Sequence, residues 1–93
     1  MISKYLAEGR DNARPARYLC DLLNLSPREL SRAIERERRA GIPICAASGN
    51  NPGYFLAANQ EEMQHYCRSL WRRAGEILKT RRACEKTIES LPL

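Results

Sequence analysis

Two residues, Asn24 and Leu25, separate the end of one helix-forming segment from a start signal for the next, and nothing else in the chain constrains the fold so tightly. The start signal is LSPRE. Ser26 stands in the N-cap position, Pro27 takes the first helical position where a missing N–H costs nothing, and Glu29 can reach back to close a capping box. The helix so begun is expected to run to Ala40, with Gly41 ending it and Pro43 just beyond. The segment before it, PARYLCDLLN, reads as a helix with Pro15 in its first turn and Leu19, Leu22 and Leu23 on its buried side. Asn24 can adopt the left-handed conformation that often ends a helix.

Upstream, SKYLAE reads as a short first helix stopped by Gly9, followed by the loop GRDNAR. After Gly41 the apolar spacing changes from helical to alternating. IPICA and GYFLA resemble two strands around ASGNNP, which is dense in turn formers, so a hairpin is expected. Ile42, Ile44, Tyr54 and Leu56 then share the inward face, and Cys45 and Phe55 point towards the last helix or a partner. From Gln60 to about Ser90 no proline interrupts the pattern, which predicts a long helix. Met63, Cys67, Leu70, Ala74, Ile77, Arg81, Cys84, Ile88 and Leu91 recur in steps of four and three along it, the a/d spacing of a helix seam. The expected fold is mainly α with a small β-hairpin, an α+β class. The organisation is a first unit over residues 1–58 and a long C-terminal helix over 59–93.

Composition narrows the functional classes. A chain of 93 residues allows one core and a protruding element, not a large internal cavity. No apolar run approaches the roughly 18 residues a membrane span needs, and MISKYLAEGR lacks the basic start and apolar block of a secretory signal. An intracellular, cytoplasmic protein is expected. The four cysteines, Cys20, Cys45, Cys67 and Cys84, form no close pair, so neither a zinc site nor a disulfide framework is expected; Cys20 and Cys67 lie among apolar neighbours and read as buried thiols. His65 stands alone, Glu61 and Glu62 suit a helix start, and no phosphate-cradling glycine loop or nucleophile elbow is present. No catalytic residue, cofactor, metal or small-molecule substrate is expected. The net charge of +5 favours a polyanionic partner.

Winding RELSRAIERERRAG at about 100° per residue separates its chemistry. Leu30, Ala33, Ile34 and Glu37 fall on one side; Arg28, Arg32, Glu35 and Arg39 make a row on the other, with Ser31 and Arg36 at its margins. The competing reading is a solvated face laced by pairs of Glu35 with Arg32 and Arg39, each worth a few tenths of a kcal/mol. A capped helix, a two-residue turn and a second helix with a cationic outer row match a helix-turn-helix, whose second helix enters the DNA major groove. Arginine suits that position because its planar fork can grip guanine O6 and N7 together, and Glu35 can accept from a cytosine amino group or hold neighbouring arginines.

The order DLLNLSPRELSRAIERERRAGIPI, then ASGNNPGYFLA, resembles the winged helix-turn-helix domain, particularly the kind that begins the bacterial biotin operon repressor and small prophage-encoded DNA-binding proteins. The resemblance covers about residues 10 to 57, and LSPREL, the helix ending from Ile34 to Gly41, and GYFL carry it. It implies that the helix from Ser26 reads base edges and that the hairpin, the wing, touches the backbone or minor groove. Arg28, Arg32, Glu35, Arg36 and Arg39 then become the candidate readers, with Ser26 and Ser31 beside them and Ser48, Asn50 and Asn51 at the wing tip. Arg14 and Arg17 would add phosphate contacts. The wing itself carries no Lys or Arg, so its grip must come from amides, hydroxyls and backbone N–H groups.

A helix of about 30 residues spans about 45 Å and outreaches the core of so small a domain. Its first half, with Met63, Cys67, Leu70 and Trp71, is expected to cover the winged helix. Its second half, with Ile77, Leu78, Cys84, Ile88 and Leu91, needs another surface, most simply a second copy. Arg81 disfavours a continuous coiled coil, and Gly75 offers a place to bend. The expected function is a dimeric, non-enzymatic double-stranded DNA-binding protein, a transcription regulator or a phage or mobile-element factor. The alternative is a winged-helix docking module whose arginines meet an acidic protein.

Overall fold

The computed structural model describes all 93 residues. Its first two α-helices are α1, Ala16–Leu23, and α2, Pro27–Arg39. Asn24 ends α1 in the left-handed conformation at φ 54°, and the Leu25 N–H closes back onto the Cys20 carbonyl at 3.0 Å. The capping box then starts α2: Ser26 Oγ accepts the Glu29 N–H at 3.1 Å, and Glu29 Oε1 accepts the Ser26 N–H at 2.9 Å. The Ser26 N–H first, and the Ser26 hydroxyl second, hold the Glu29 carboxyl below its ordinary value of 4.5. Ala40 caps the far end and Gly41 leaves it at φ 99°.

Leu19, Leu30, Ile34 and Ile44 are almost wholly buried and, with Ile2 and Leu6, make the main core. Leu22 does not join them; it is half exposed, while Cys20 and Leu23 pack against the core. The reason is angular. Leu19, Cys20 and Leu23 lie on one side of α1, Leu22 is about 100° away from their centre, and no third element covers that flank.

The expected helix at SKYLAE is a 3-10 turn, Ile2–Tyr5, after which the chain is extended. Two contacts outcompete a helix too short to nucleate well. The buried Glu37 carboxylate accepts the N–H groups of Ile2 at 2.6 Å and Ser3 at 3.0 Å, tying the turn to α2. The following residues pair with the hairpin, the Ala7 carbonyl accepting the Leu56 N–H and the Leu56 carbonyl accepting the Gly9 N–H, both at 2.9 Å.

The hairpin pairs β1, Ile44–Ala47, with β2, Gly53–Leu56, placing Ile44 opposite Leu56 and Cys45 opposite Phe55. Its alternation divides the interior as expected. Ile42, Ile44, Tyr54 and Leu56 belong to the main core, whereas Cys45 and Phe55 form a second cluster with Ala13 and Tyr66. Burial, and then the nearby Glu62 charge, push the Cys45 thiol upward, so this cysteine is an inert core group. Arg14 and Tyr54 exchange two N–H···O bonds at 2.9 Å, completing the cover of β2. That approach requires Gly53: a Cβ there would lie 2.2 Å from the Arg14 carbonyl oxygen.

The last helix, α3, spans Gln60–Glu85 without a break at Gly75. It ends before the expected Ser90, and Ile88–Ser90 is a separate 3-10 turn, so Ile88 and Leu91 stand outside the helical seam. Asn59 accepts the Glu62 N–H at 2.9 Å to cap the start. Glu62 in turn accepts from Ala58 at 2.8 Å and Arg10 at 3.0 Å, which together hold its carboxyl below 4.5. Only Tyr66 of this helix is buried, with Met63 partly so. Cys67, Leu70 and Trp71 do not cover the domain as expected; all three are exposed, Trp71 at 83%. The second cluster is small and meets α3 through the Tyr66 side, turning the richer apolar side away. The radius of gyration is 16.7 Å, against about 12 Å for a compact chain of this length. No helix is long and apolar enough to cross a membrane.

Candidate nucleic-acid interface

Three glutamates accompany the five arginines of α2, and their engagements decide what the arginines are left to do. Glu29 is held in the capping box and Glu37 is buried against the N-terminal turn. Glu35 alone meets an arginine, at 2.6 Å from Arg39 Nη2. Both partners are well exposed, so the pair contributes about 0.5 kcal/mol or less and serves mainly to orient Arg39. Arg28, Arg32 and Arg36 are exposed and have no acidic partner. A face laced by repeated intrahelical pairs would look different: Glu35 makes one pair, not two, and Arg32 is free.

Arg38, the fifth arginine, turns inward. Its Nε donates to the Ile44 carbonyl at 2.8 Å and its guanidinium lies 4.7 Å from the Tyr66 ring centroid and 5.8 Å from that of Tyr54. One side chain thus ties α2 to both strands' neighbourhood and to α3. Leu30, Ile34 and Glu37 anchor the opposite flank, so the cationic row projects from a held rod. Ser31 is exposed beside it; the hydroxyl of Ser26 is occupied by its capping bond. Arg36 stands apart from the centre of the row, on the rim of an apolar groove with Met1, Tyr5 and Ala33.

At the start of α1, Arg17 is exposed, and Arg14 is partly buried with its guanidinium 5.7 Å from the Tyr18 ring. Pro15 supplies no side-chain cap, so the first amides of α1 lie open near these two cations.

The hairpin tip is braced from outside the hairpin. It has no cation of its own, yet Arg10 brings one: the guanidinium donates to the carbonyls of Ser48 at 3.1 Å, Asn50 at 2.7 Å and Asn51 at 3.1 Å. Asn51 is not a free reader. It sits at φ 53° and its amide donates to the Asp11 carbonyl at 3.2 Å, pinning the tip to the preceding turn. Ser48 and Asn50 present exposed side chains. Beneath the tip, a cleft towards α3 is bordered by Arg10, His65, Arg68 and Arg73, with Glu61 and Glu62 opposing their charge.

Sequence reasoning missed Arg10, Glu37 as an anchor, and Arg38. Arg10 lies in an irregular loop where no periodicity points to a role. Arg38 carried a usable signal, since winding α2 sets it apart from Arg32 and Arg39, on the flank that faces the hairpin. No three His, Cys, Asp or Glu side chains converge as metal ligands would. The molecule is an α+β chain with a two-stranded hairpin and a long C-terminal helix. No family model, curated protein or solved structure matches it.

Proposed function

We propose that the chain is a non-enzymatic double-stranded DNA-binding protein of the winged helix-turn-helix kind, acting in the cytoplasm as a homodimer in transcription regulation or in a phage or mobile-element DNA transaction. The observation that carries this reading is the exposed, carboxylate-free set of Arg28, Arg32 and Arg36, with Arg39 oriented beside them by Glu35. A helix about 10 to 12 Å across fits a major groove about 12 Å wide. Arg28, Arg32 and Arg39 would face base edges, while Arg14, Arg17, the open amides of α1 and the Arg10-braced hairpin tip would meet phosphates. Glu35 disfavours indiscriminate phosphate binding and so supports sequence selectivity over mere adhesion.

The test is DNA affinity as a function of salt. If about five phosphates are neutralised, log K falls against log salt with a slope near −4.5. A slope near zero overturns the proposal, as does unchanged DNA retention after charge reversal of Arg32 and Arg39. The second reading, a docking module, draws on the exposed apolar side of α3, and predicts that the same reversal abolishes capture of an acidic protein while leaving DNA retention as it was.

A further inference from the structure

The exposed side of α3 is ordered, not scattered. Cys67, Leu70, Trp71, Ala74, Ile77, Leu78 and Cys84 recur in steps of three and four, except where Arg81 takes one seam position. Exposure reaches 83% at Trp71, 67% at Ile77 and 46% at Leu78. At about 100° per residue the centre of this stripe lies roughly 75° from Tyr66, the residue that meets the domain, and the domain leaves it exposed. The far flank is cationic, with Arg68, Arg72, Lys79 and Lys86. Beyond Trp71 some fourteen helical residues have no tertiary support, a length that is marginal alone in water, and Gly75 weakens it by a further roughly 1 kcal/mol.

We infer that two copies of the chain pair antiparallel along this stripe, in the register that sets Cys67 opposite the partner's Cys84. The midpoint of that register lies between Gly75 and Glu76. Ala74 then meets the partner's Ile77, a small residue against a large one, and Leu70 meets the aliphatic stem of the partner's Arg81. On the flank, Trp71 packs beside the partner's Leu78, so the two large residues that solvent reaches on one edge cover each other in both halves. Arg81 decides the orientation. A parallel pair would place two Arg81 guanidiniums in one core layer, whereas the antiparallel register separates them by about 16 Å along the axis, each near its own Glu85 at 3.2 Å.

The pairing rests on the face of α3, and its use rests on the DNA-binding reading above. Two-fold symmetry places the two Tyr66 residues about 28 Å apart and the two Met63 residues about 38 Å apart along the axis. These values set the spacing of the two points at which the domains join the pair, of the same order as the 34 to 36 Å, roughly one DNA turn, between half-sites that paired recognition helices read.

The two exposed cysteines report the register. Within one chain they are about 25 Å apart along the helix and cannot join. Diamide oxidation of the full chain, in which each new S–S bond gives two electrons and two protons to one diamide, is followed by proteolysis and mass analysis of the dimer band. A Cys67–Cys84 peptide pair is expected as the dominant species. Cys67–Cys67 with Cys84–Cys84 pairs would overturn the register, and a monomer by sedimentation would overturn the pairing. Ile77→Glu, at a position exposed in the protomer, should leave the hairpin domain folded, convert dimer to monomer and lower DNA affinity at least tenfold; persistence of the dimer would equally overturn it. A parent chain that shows the expected crosslink yet does not retain DNA would remove the proposed function and leave the antiparallel pair standing.

Discussion

The two longest helices are amphipathic in different senses. In α2, Leu30, Ile34 and Glu37 are buried by the domain's own core, so the helix can turn an entire flank of arginines to the outside. In α3, twice the length, only Tyr66 is buried and the apolar stripe lies in solvent with the charged flank. Periodicity is therefore a statement about a face, not about what covers that face. Where the cover is intramolecular the helix becomes a rigid support; where it is missing the apolar face stays in solvent. The small residues and single aromatic of the second cluster, Ala13, Cys45 and Phe55, offer α3 room for little more than one tyrosine.

Substitutions can break this contrast at its strongest point first. Gly53→Ala forces a Cβ into the Arg14 backbone at 2.2 Å, where neither β2 nor the segment before α1 can yield without losing the bonds that Arg14 and Tyr54 exchange. A loss of at least about 4 kcal/mol is expected in denaturant unfolding. Leu30→Ala, in the supported helix, should cost about 3 kcal/mol, while Leu78→Ala in the protruding one should change protomer stability by less than about 0.5 kcal/mol and act on self-association instead. Equal effects at the two positions, by chemical denaturation at a concentration below dimerisation, would erase the distinction. Glu37→Gln keeps the shape but removes the charged acceptor, and about 2 kcal/mol should be lost, seen first as faster amide exchange at Ile2 and Ser3.

Acid sharpens the comparison from another side. Glu29 and Glu62 are both held below 4.5 by N–H donors at helix starts, so their stabilisation is present above that pH and disappears as pH falls through their lowered values. Through these two groups stability should therefore be insensitive to pH at neutrality and decline below about pH 4.5; Glu62→Gln should flatten part of that decline. The smallest expected effect on folding is at Arg32, where Arg32→Ala should alter stability by no more than about 0.5 kcal/mol and yet weaken DNA retention by about tenfold.

Much of the fold was legible because its signals are local. Ser26, Pro27 and Glu29 define a helix start from within four residues, Asn24 ends the helix before it, and the alternation of Ile44 with Cys45 divides the hairpin between two clusters. The errors fall where a distant partner intervened. SKYLAE has helix-forming residues, but Glu37 and the edge of β2 take its backbone donors and acceptors, leaving only a 3-10 turn. Cys67 looked buried by pattern, and it is Cys45 that is enclosed. Of the candidate interface, the row on α2 and the capping role of Ser26 were readable from the sequence alone, whereas the Asn51 amide is tied by an internal bond and Arg10 emerged as the brace of the hairpin tip.

The amino-acid order by itself determined where α1 ends and where α2 begins and ends, which side of α2 is cationic and which side of α3 is apolar, because caps, turns and periodicity act over a few residues. Only the tertiary structure decided that Glu37 is held away from the arginines, and which apolar face finds a cover. Both outcomes depend on groups more than thirty residues apart in the chain meeting in space, as Glu37 meets Ile2. Local propensity carries no information about such meetings; packing a small core around one aromatic cluster does.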